Sequence, residues 1–177
     1  MSKEEIIEGD CLEVMPEIPD KSIDMILCDL PYGTTACKWD TIIPFDKLWE
    51  QYKRVIKDNG AIVLTASQPF TTLLINSAFD LFRYELIWEK TMPTGMALAN
   101  KRPMKYHENV LVFGDGKIKY NPQMLAGEAY TRSNVSIKTN NHRYGLKQIT
   151  TKNLGTRFPS TILDFPQKWR RQDQIHP

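Results

Sequence analysis

Cysteine and histidine are scarce in this chain, and their placement excludes several kinds of chemistry. Cys11, Cys28 and Cys37 are odd in number and form no C-x-x-C pair, which argues against a disulfide framework and against a zinc site. His107, His142 and His176 are scattered without ligand spacing. The opening M-S-K-E-E is acidic and has no apolar segment behind a basic one, so no secretory signal is expected. No apolar run is long enough to span a membrane. Reduced thiols and the lack of a signal together lead to the expectation of a cytoplasmic protein. A phosphate-cradling glycine loop is also missing. The G-D-G at 114–116 lacks a third glycine and a following helix, so it reads as a turn. No repeat or low-complexity tract is present.

The length of 177 residues suits one domain with a real core. Net charge is only +2 overall, but the two halves differ sharply. Residues 1–90 hold 9 basic and 16 acidic side chains, a net −7, and residues 91–177 hold 14 and 5, a net +9. Such asymmetry predicts a basic half that meets a polyanion. A solvated basic surface is the plain alternative. The Tyr, Asn, Gln and His residues interleaved with the charges favour nucleic acid.

Patterning along the chain predicts alternating strands and helices. Residues 5–8 read as a short strand, and 11–15 as a helical turn. The run I-D-M-I-L-C at 23–28 reads as a buried strand. A long loop, 29–43, follows. Pro44 suits a first helical position. Phe45, Leu48, Trp49, Tyr52, Val55 and Ile56 recur at helical spacing, with Asn59-Gly60 as a left-handed stop. Residues 61–66 are continuously apolar, as in a sheet covered on both faces. Pro69 starts a second helix, with Phe70, Leu73, Leu74 and Phe79 on its inner side. Residues 84–89 form another strand. Residues 109–113 and 117–120 around Asp115-Gly116 read as a hairpin. Beyond Tyr120 the apolar periodicity fades, and 121–158 reads either as a variable recognition region or as a surface excursion.

Asp29-Leu30-Pro31-Tyr32 follows the strand at 23–28. A carboxylate, a stiff turn and an aromatic ring therefore meet at the carboxyl end of a strand, where ligands bind in open α/β sheets. The grouping suits chemistry on the exocyclic amine of a flat base. The carboxylate and a backbone carbonyl of the turn can accept hydrogen bonds from the amine, and the ring can stack. Capping of the next turn is the plain alternative for Asp29, and core packing the one for Tyr32. Trp39 stacks on a base or packs its loop onto the sheet. Lys90 ends a strand at the same sheet edge. Lys101, Arg102, Lys105 and His107 cluster in the basic half, as phosphate contacts would.

The stretch S-I-D-M-I-L-C-D-L-P-Y-G at 22–33 resembles the catalytic motif of the amino-methylating DNA methyltransferases, the adenine-N6 and cytosine-N4 enzymes, whose usual form is D-P-P-Y or S-P-P-Y after an apolar strand. The resemblance continues through G-D-C-L-E-V-M at 9–15, N-G-A-I-V-L-T-A-S-Q-P-F at 59–70, L-I-W-E-K at 86–90 and H-E-N-V-L-V-F at 107–113. The order is that of the permuted β-type enzymes, in which the catalytic motif precedes the cofactor motif. Leu30 stands where the family usually has proline. It keeps the backbone carbonyl and gives up some stiffness of the turn.

The resemblance implies an α/β, Rossmann-like S-adenosylmethionine-dependent methyltransferase fold, circularly permuted and incomplete, with a mostly parallel sheet and a C-terminal hairpin. Residues 1–120 would be the catalytic part, 121–158 the DNA target-recognition region and 159–177 the start of the cofactor-binding part. Asp29, Leu30, Pro31 and Tyr32 would be catalytic. Asp10, Asp29 and His176 would touch S-adenosylmethionine, and Trp39, Lys90, Lys101, Arg102, Lys105 and His107 would bind double-stranded DNA. Asp10 as a turn former remains the alternative. The implied reaction methylates the N6 amine of an extruded adenine. Asp at the first motif position leans toward adenine, and cytosine-N4 remains open. The sequence ends at His176-Pro177, where the family's H-P-T-Q-K-P string begins. A glycine-rich F-x-G-x-G turn follows later in that family and is not found here. A completing chain or a homodimer partner is therefore expected, along with a gap in the sheet and exposed strand edges. The competing expectations are a remnant that binds DNA only and an unrelated α/β nucleotide-binding module.

Overall fold

A computed structural model describes residues 4–140 and 143–164, with backbone alone over 134–149. The described residues divide into two compact units, one of 4–119 with 161–164 and one within 120–160.

The first unit is built on a five-stranded sheet. Its elements are α1 (Cys11–Val14), a 3-10 turn (Met15–Glu17), β1 (Ile23–Asp29), α2 (Phe45–Val55), β2 (Ile56–Ala66), α3 (Phe70–Ser77), β3 (Phe82–Thr94) and β4 (Lys105–Phe113). The short strand β9 (Ile162–Asp164) joins them after the second unit. The strand order is β1-β2-β4-β3-β9. β1 and β2 are parallel, β4 runs antiparallel to both β2 and β3, and β9 is parallel to β3. Four strands thus share one direction and β4 alone is reversed, which is the expected α/β class with a mostly parallel sheet.

One face of the sheet carries the core. α2 turns Leu48, Trp49, Tyr52 and Val55 inward, and α3 turns Phe70, Thr71 and Leu74 inward. Leu48, Trp49, Tyr52, Phe70 and Leu74 form one core cluster with Ile62, Leu64 and Ala66 of β2 and Leu111 and Phe113 of β4. Each fully buried Leu or Phe contributes roughly 1.5–3 kcal/mol. Arg54 near the end of α2 ties in the preceding segment. Its guanidinium donates to the carbonyls of Met15 (2.6 Å) and Ile18 (2.7 Å) and pairs with Asp20.

The opposite face is only partly covered among the described residues, and it is barest at β1. Residues of β2 alternate between buried and half-buried along 60–66, so the continuous apolar run does not mean cover on both sides. Met25 and Leu27 project from the open face of β1, and Leu27 is 69% exposed. The 23–28 strand is therefore an edge with one bare face rather than the buried strand expected. Residues 4–8 are exposed and form no strand; Ile6 and Ile7 stay in water. No strand lies beyond β1 among the described residues.

Three further expectations are corrected. Asn59-Gly60 does not stop α2, which ends at Val55. The pair lies in β2 where the register slips against β1, and Gly60 is needed because a Cβ would meet the Asp24 carbonyl at 2.9 Å. Leu73 and Phe79 are exposed, because the inward stripe of α3 runs through 70, 74 and 78. No hairpin forms over 109–120. Both edges of β4 are taken by β2 and β3, which leaves none for a strand at 117–120. Gly116 still adopts the positive φ of a turn.

The second unit contains β5 (Leu125–Ala126), β6 (Tyr130–Asn140), β7 (Arg143–Asn153) and β8 (Thr156–Arg157). β6 and β7 form a long antiparallel hairpin, and β5 pairs with β8. Arg157 organises its base. The guanidinium lies 4.8 Å from the Tyr130 ring centroid, donates to the Glu128 carbonyl (2.6 Å) and reaches Asn153 Oδ1 (2.7 Å).

The two faces should answer differently to truncation. Leu64→Ala is expected to cost about 2–5 kcal/mol in urea unfolding. Leu27→Ala should change stability by no more than about 0.5 kcal/mol. A comparable loss at both positions would mean that the open face is covered in solution.

Candidate active site

Parallel pairing brings Asp29, the last residue of β1, opposite Thr65 near the end of β2. The Thr65 hydroxyl donates to Asp29 Oδ1. Tyr32 Oη lies 2.9 Å from both Asp29 Oδ1 and Thr65 Oγ1. Two hydroxyl protons thus serve three oxygens, and in every allowed arrangement the carboxylate accepts. Asp29 Oδ2 has no hydrogen-bond partner among the described residues. Burial pushes the Tyr32 phenol well above its usual range, and the adjacent Asp29 adds to this. Tyr32 therefore remains a protonated donor.

The Tyr32 ring is stacked on Phe70, with centroids 5.1 Å apart and planes at 25°. Phe70 is itself fully buried at the start of α3. One face of Tyr32 is thereby spent on the core. Leu30 also turns inward and is buried in the same cluster, so its side chain anchors the turn from below. Pro31 is half-buried between them.

The loop after Tyr32 is closed by Asp40. Its Oδ1 accepts from Gly33 N–H (2.8 Å), and its Oδ2 accepts from Thr34 N–H (2.9 Å) and Thr35 N–H (2.7 Å). The hydrogen bond from the Thr35 side chain and these backbone donors lower its pKa to about 2, against the opposing effect of burial. Trp39, next in chain to Asp40, is 74% exposed. It does not pack its loop onto the sheet.

The expected basic cluster is divided. Lys101 and Arg102 are exposed in the connection between β3 and β4, and His107 is exposed on β4. Lys105 turns away from them and donates to Ser67 Oγ; its pKa is lowered by burial, Glu108 opposing and Lys90 reinforcing. Lys90 is paired with Glu108 at 2.5 Å. Asp10 caps α1, accepting from Leu12 N–H at 2.8 Å. His176 lies outside the described residues. No group of three or more His, Cys, Asp or Glu side chains is arranged to hold a metal among the described residues. A cleft lined by Lys21, Lys53, Ile56, Asp80 and Asp115 sits at the beginning of β2, remote from Asp29.

Sequence reasoning assigned no site role to Thr65, Phe70, Asp40 or Ser67. Thr65 and Ser67 carried a signal, being the polar breaks at the end of the apolar 61–66 run. Pairing Thr65 with Asp29, and Ser67 with Lys105, requires the strand register, which the sequence does not state.

No protein-family model matches the chain. Its backbone is similar to solved structures at low identity. One is M1.HpyAVI in complex with SAM, at 14% identity and TM-score 0.48, covering 78% of this chain and 62% of that one. Another is the PvuII DNA methyltransferase (cytosine-N4-specific), at 14% identity and TM-score 0.48, covering 62% and 48%. A third is the Thermus thermophilus protein TTHA0409 complexed with S-adenosyl-L-methionine, at 17% identity and TM-score 0.44, covering 65% and 57%. The chain thus spans 48–62% of the length of these structures. No helix among the described residues is long and apolar enough to cross a membrane.

The Asp40 closure has a pH signature. The folded pKa lies below the ordinary 3.8, so its stabilisation is full above pH 3.8 and is lost as pH falls through about 2. The melting-temperature gap between wild type and Asp40→Asn should be constant above about pH 4 and narrow toward about pH 2. A gap that stays constant across that range would show that the charge is immaterial.

Proposed function

We propose that the chain is the catalytic part of a DNA amino-methyltransferase that acts on the N6 amine of an extruded adenine. The observation that carries this function is the Asp29 carboxylate at the carboxyl end of β1. Thr65 and Tyr32 hold one of its oxygens, and the other has no protein partner among the described residues. That free oxygen suits the hydrogen of an exocyclic amine. A backbone carbonyl of the Leu30-Pro31 turn accepts the second hydrogen. The two bonds draw the nitrogen toward tetrahedral geometry and direct its lone pair. The carboxylate also offsets positive charge building on the nitrogen. The gain comes from positioning and electrostatics, without a covalent intermediate. Extrusion of the base from the duplex costs roughly a few kcal/mol, which contacts to DNA must offset. The Asp of the motif favours adenine, with the cytosine-N4 amine as the second candidate.

S-adenosylmethionine supplies the methyl group in this chemistry. The described residues do not make a full site for it. Asp10 is already spent as the cap of α1, and no glycine-rich turn is available to approach the cofactor closely. The open face and bare edge of β1 favour completion by further polypeptide, from a second chain or a second copy. Residues 1–120 would then be catalytic, 121–158 would recognise the DNA target and 159–177 would begin the cofactor-binding part. Lys101, Arg102 and His107 would face phosphate, with Lys90 and Lys105 nearer the base.

Methyl incorporation from tritiated S-adenosylmethionine into genomic DNA tests this function in the completed enzyme. Asp29→Ala should abolish transfer and leave DNA affinity within about twofold. Substantial transfer by the variant would sink the assignment and leave DNA binding alone.

Affinity for duplex DNA should fall steeply with salt. Replacing Lys101 and Arg102 together by Gln should reduce the slope of log K against log salt by about 2. An unchanged slope removes both from the interface.

A further inference from the structure

The methyl-transfer function leaves the closed loop after Tyr32 unexplained. Three successive backbone N–H groups, of Gly33, Thr34 and Thr35, converge on the two oxygens of Asp40. Asp40 is only 8% exposed. Gly33 holds a φ of +66° at the start of this loop, and a Cβ there would lie 2.9 Å from Ile42 Cγ1. Cys37 N–H bonds back to Thr35 Oγ1, and Asp40 N–H to the Cys37 carbonyl. So many inward bonds leave the loop little freedom. Yet the residue beside the latch, Trp39, keeps its large apolar ring in water. The latch stabilises the loop, but an indole left in water adds nothing to folding.

Tyr32 has meanwhile given one ring face to Phe70 and its hydroxyl to Asp29 and Thr65. It serves better as a fixed partner of the carboxylate than as a free stacking surface. We infer that Asp40 is a positioning residue that latches the 33–39 loop and holds Trp39 at the rim of the site, where its indole stacks on the extruded base. The inference rests on the methyl-transfer function proposed above. The latch needs a carboxylate, because three donors require acceptors on both oxygens. An amide replaces one oxygen by NH₂ and sets donor against donor. Neither residue touches Asp29, so loosening the loop leaves the carboxylate network in place.

The test uses the full chain and two labelled DNA duplexes of one sequence. One duplex is fully paired, and the other carries an adenine opposite an abasic site, which is cheaper to extrude. Their affinity ratio, read by fluorescence anisotropy, isolates contacts to the extruded base from contacts to phosphate. Wild type should favour the unpaired adenine by about tenfold, in line with the stacking of one base on an aromatic ring. Trp39→Ala should bring the ratio close to one, and Trp39→Phe should retain most of the preference. Asp40→Asn should lose the preference as Trp39→Ala does, and the double variant should lose nothing more. Asp40→Ser replaces it if the amide variant fails to fold. A preference retained by Trp39→Ala, or losses that multiply in the double variant, overturns the inference while leaving the methyl-transfer function standing. Equal affinity of wild type for both duplexes overturns the two together.

Discussion

The parallel pairing of β1 with β2 is the constraint on which the site depends. It sets Asp29 beside Thr65, and a slip of one residue would put the threonine hydroxyl on the other face of the sheet. The slip between Ile23 and Met25 shows how the register is reached. Extra residues of β2 are taken up at the start of the strand, where Gly60 passes close to the Asp24 carbonyl, so the last five pairs run without interruption up to the carboxylate. Core packing holds that register from one side only. Ile62 and Leu64 are clamped under α2 and α3, whereas Met25 and Leu27 hang from a face with nothing over it among the described residues.

Two rigid attachments then shape the chain beyond the strand. Leu30 is driven into the core and Tyr32 is pinned between Phe70 and Asp29, so the turn carrying Pro31 is held from beneath at two points. Asp40 closes the next stretch with charge-assisted bonds to three amides, a stronger kind than neutral ones. Burial of apolar side chains and satisfaction of backbone donors thus divide the work. The first fixes the carboxylate, and the second fixes what surrounds it.

Most of the helices and strands were legible because their apolar periodicity is strong, as with Leu48, Trp49, Tyr52 and Val55 on α2. The turn at 29–32 stood out in the sequence because four unlike side chains sit at a strand end. The errors come from what lies across the sheet. Residues 61–66 are equally apolar whether one face is covered or two, and the Asp115-Gly116 turn is genuine although its partner strand has no edge to join. The 5–8 run has strand composition but joins no sheet among the described residues. Lys105 was grouped with Lys101 and Arg102 for a related reason, since composition does not say which way a side chain points. Asp40 was given no role because its main partners are backbone amides, which carry no sequence signature.

The reversed strand at the centre of the sheet also has a consequence for biosynthesis. β1, α2 and β2 can assemble once residue 66 has emerged, since their contacts are local. β3 comes next but pairs with neither of them; its partner among these strands is β4, which comes later and must enter between β2 and β3. At typical translation rates the ribosome takes roughly one to four seconds to travel from Thr94 to Phe113. Throughout that interval the nascent chain carries the strand Phe82–Thr94 with no edge to dock on, and the edge of β2 stands bare beside it. Protection of that pair by a holding chaperone, or a slow rate of strand capture by like segments, would decide how much of the protein reaches its fold.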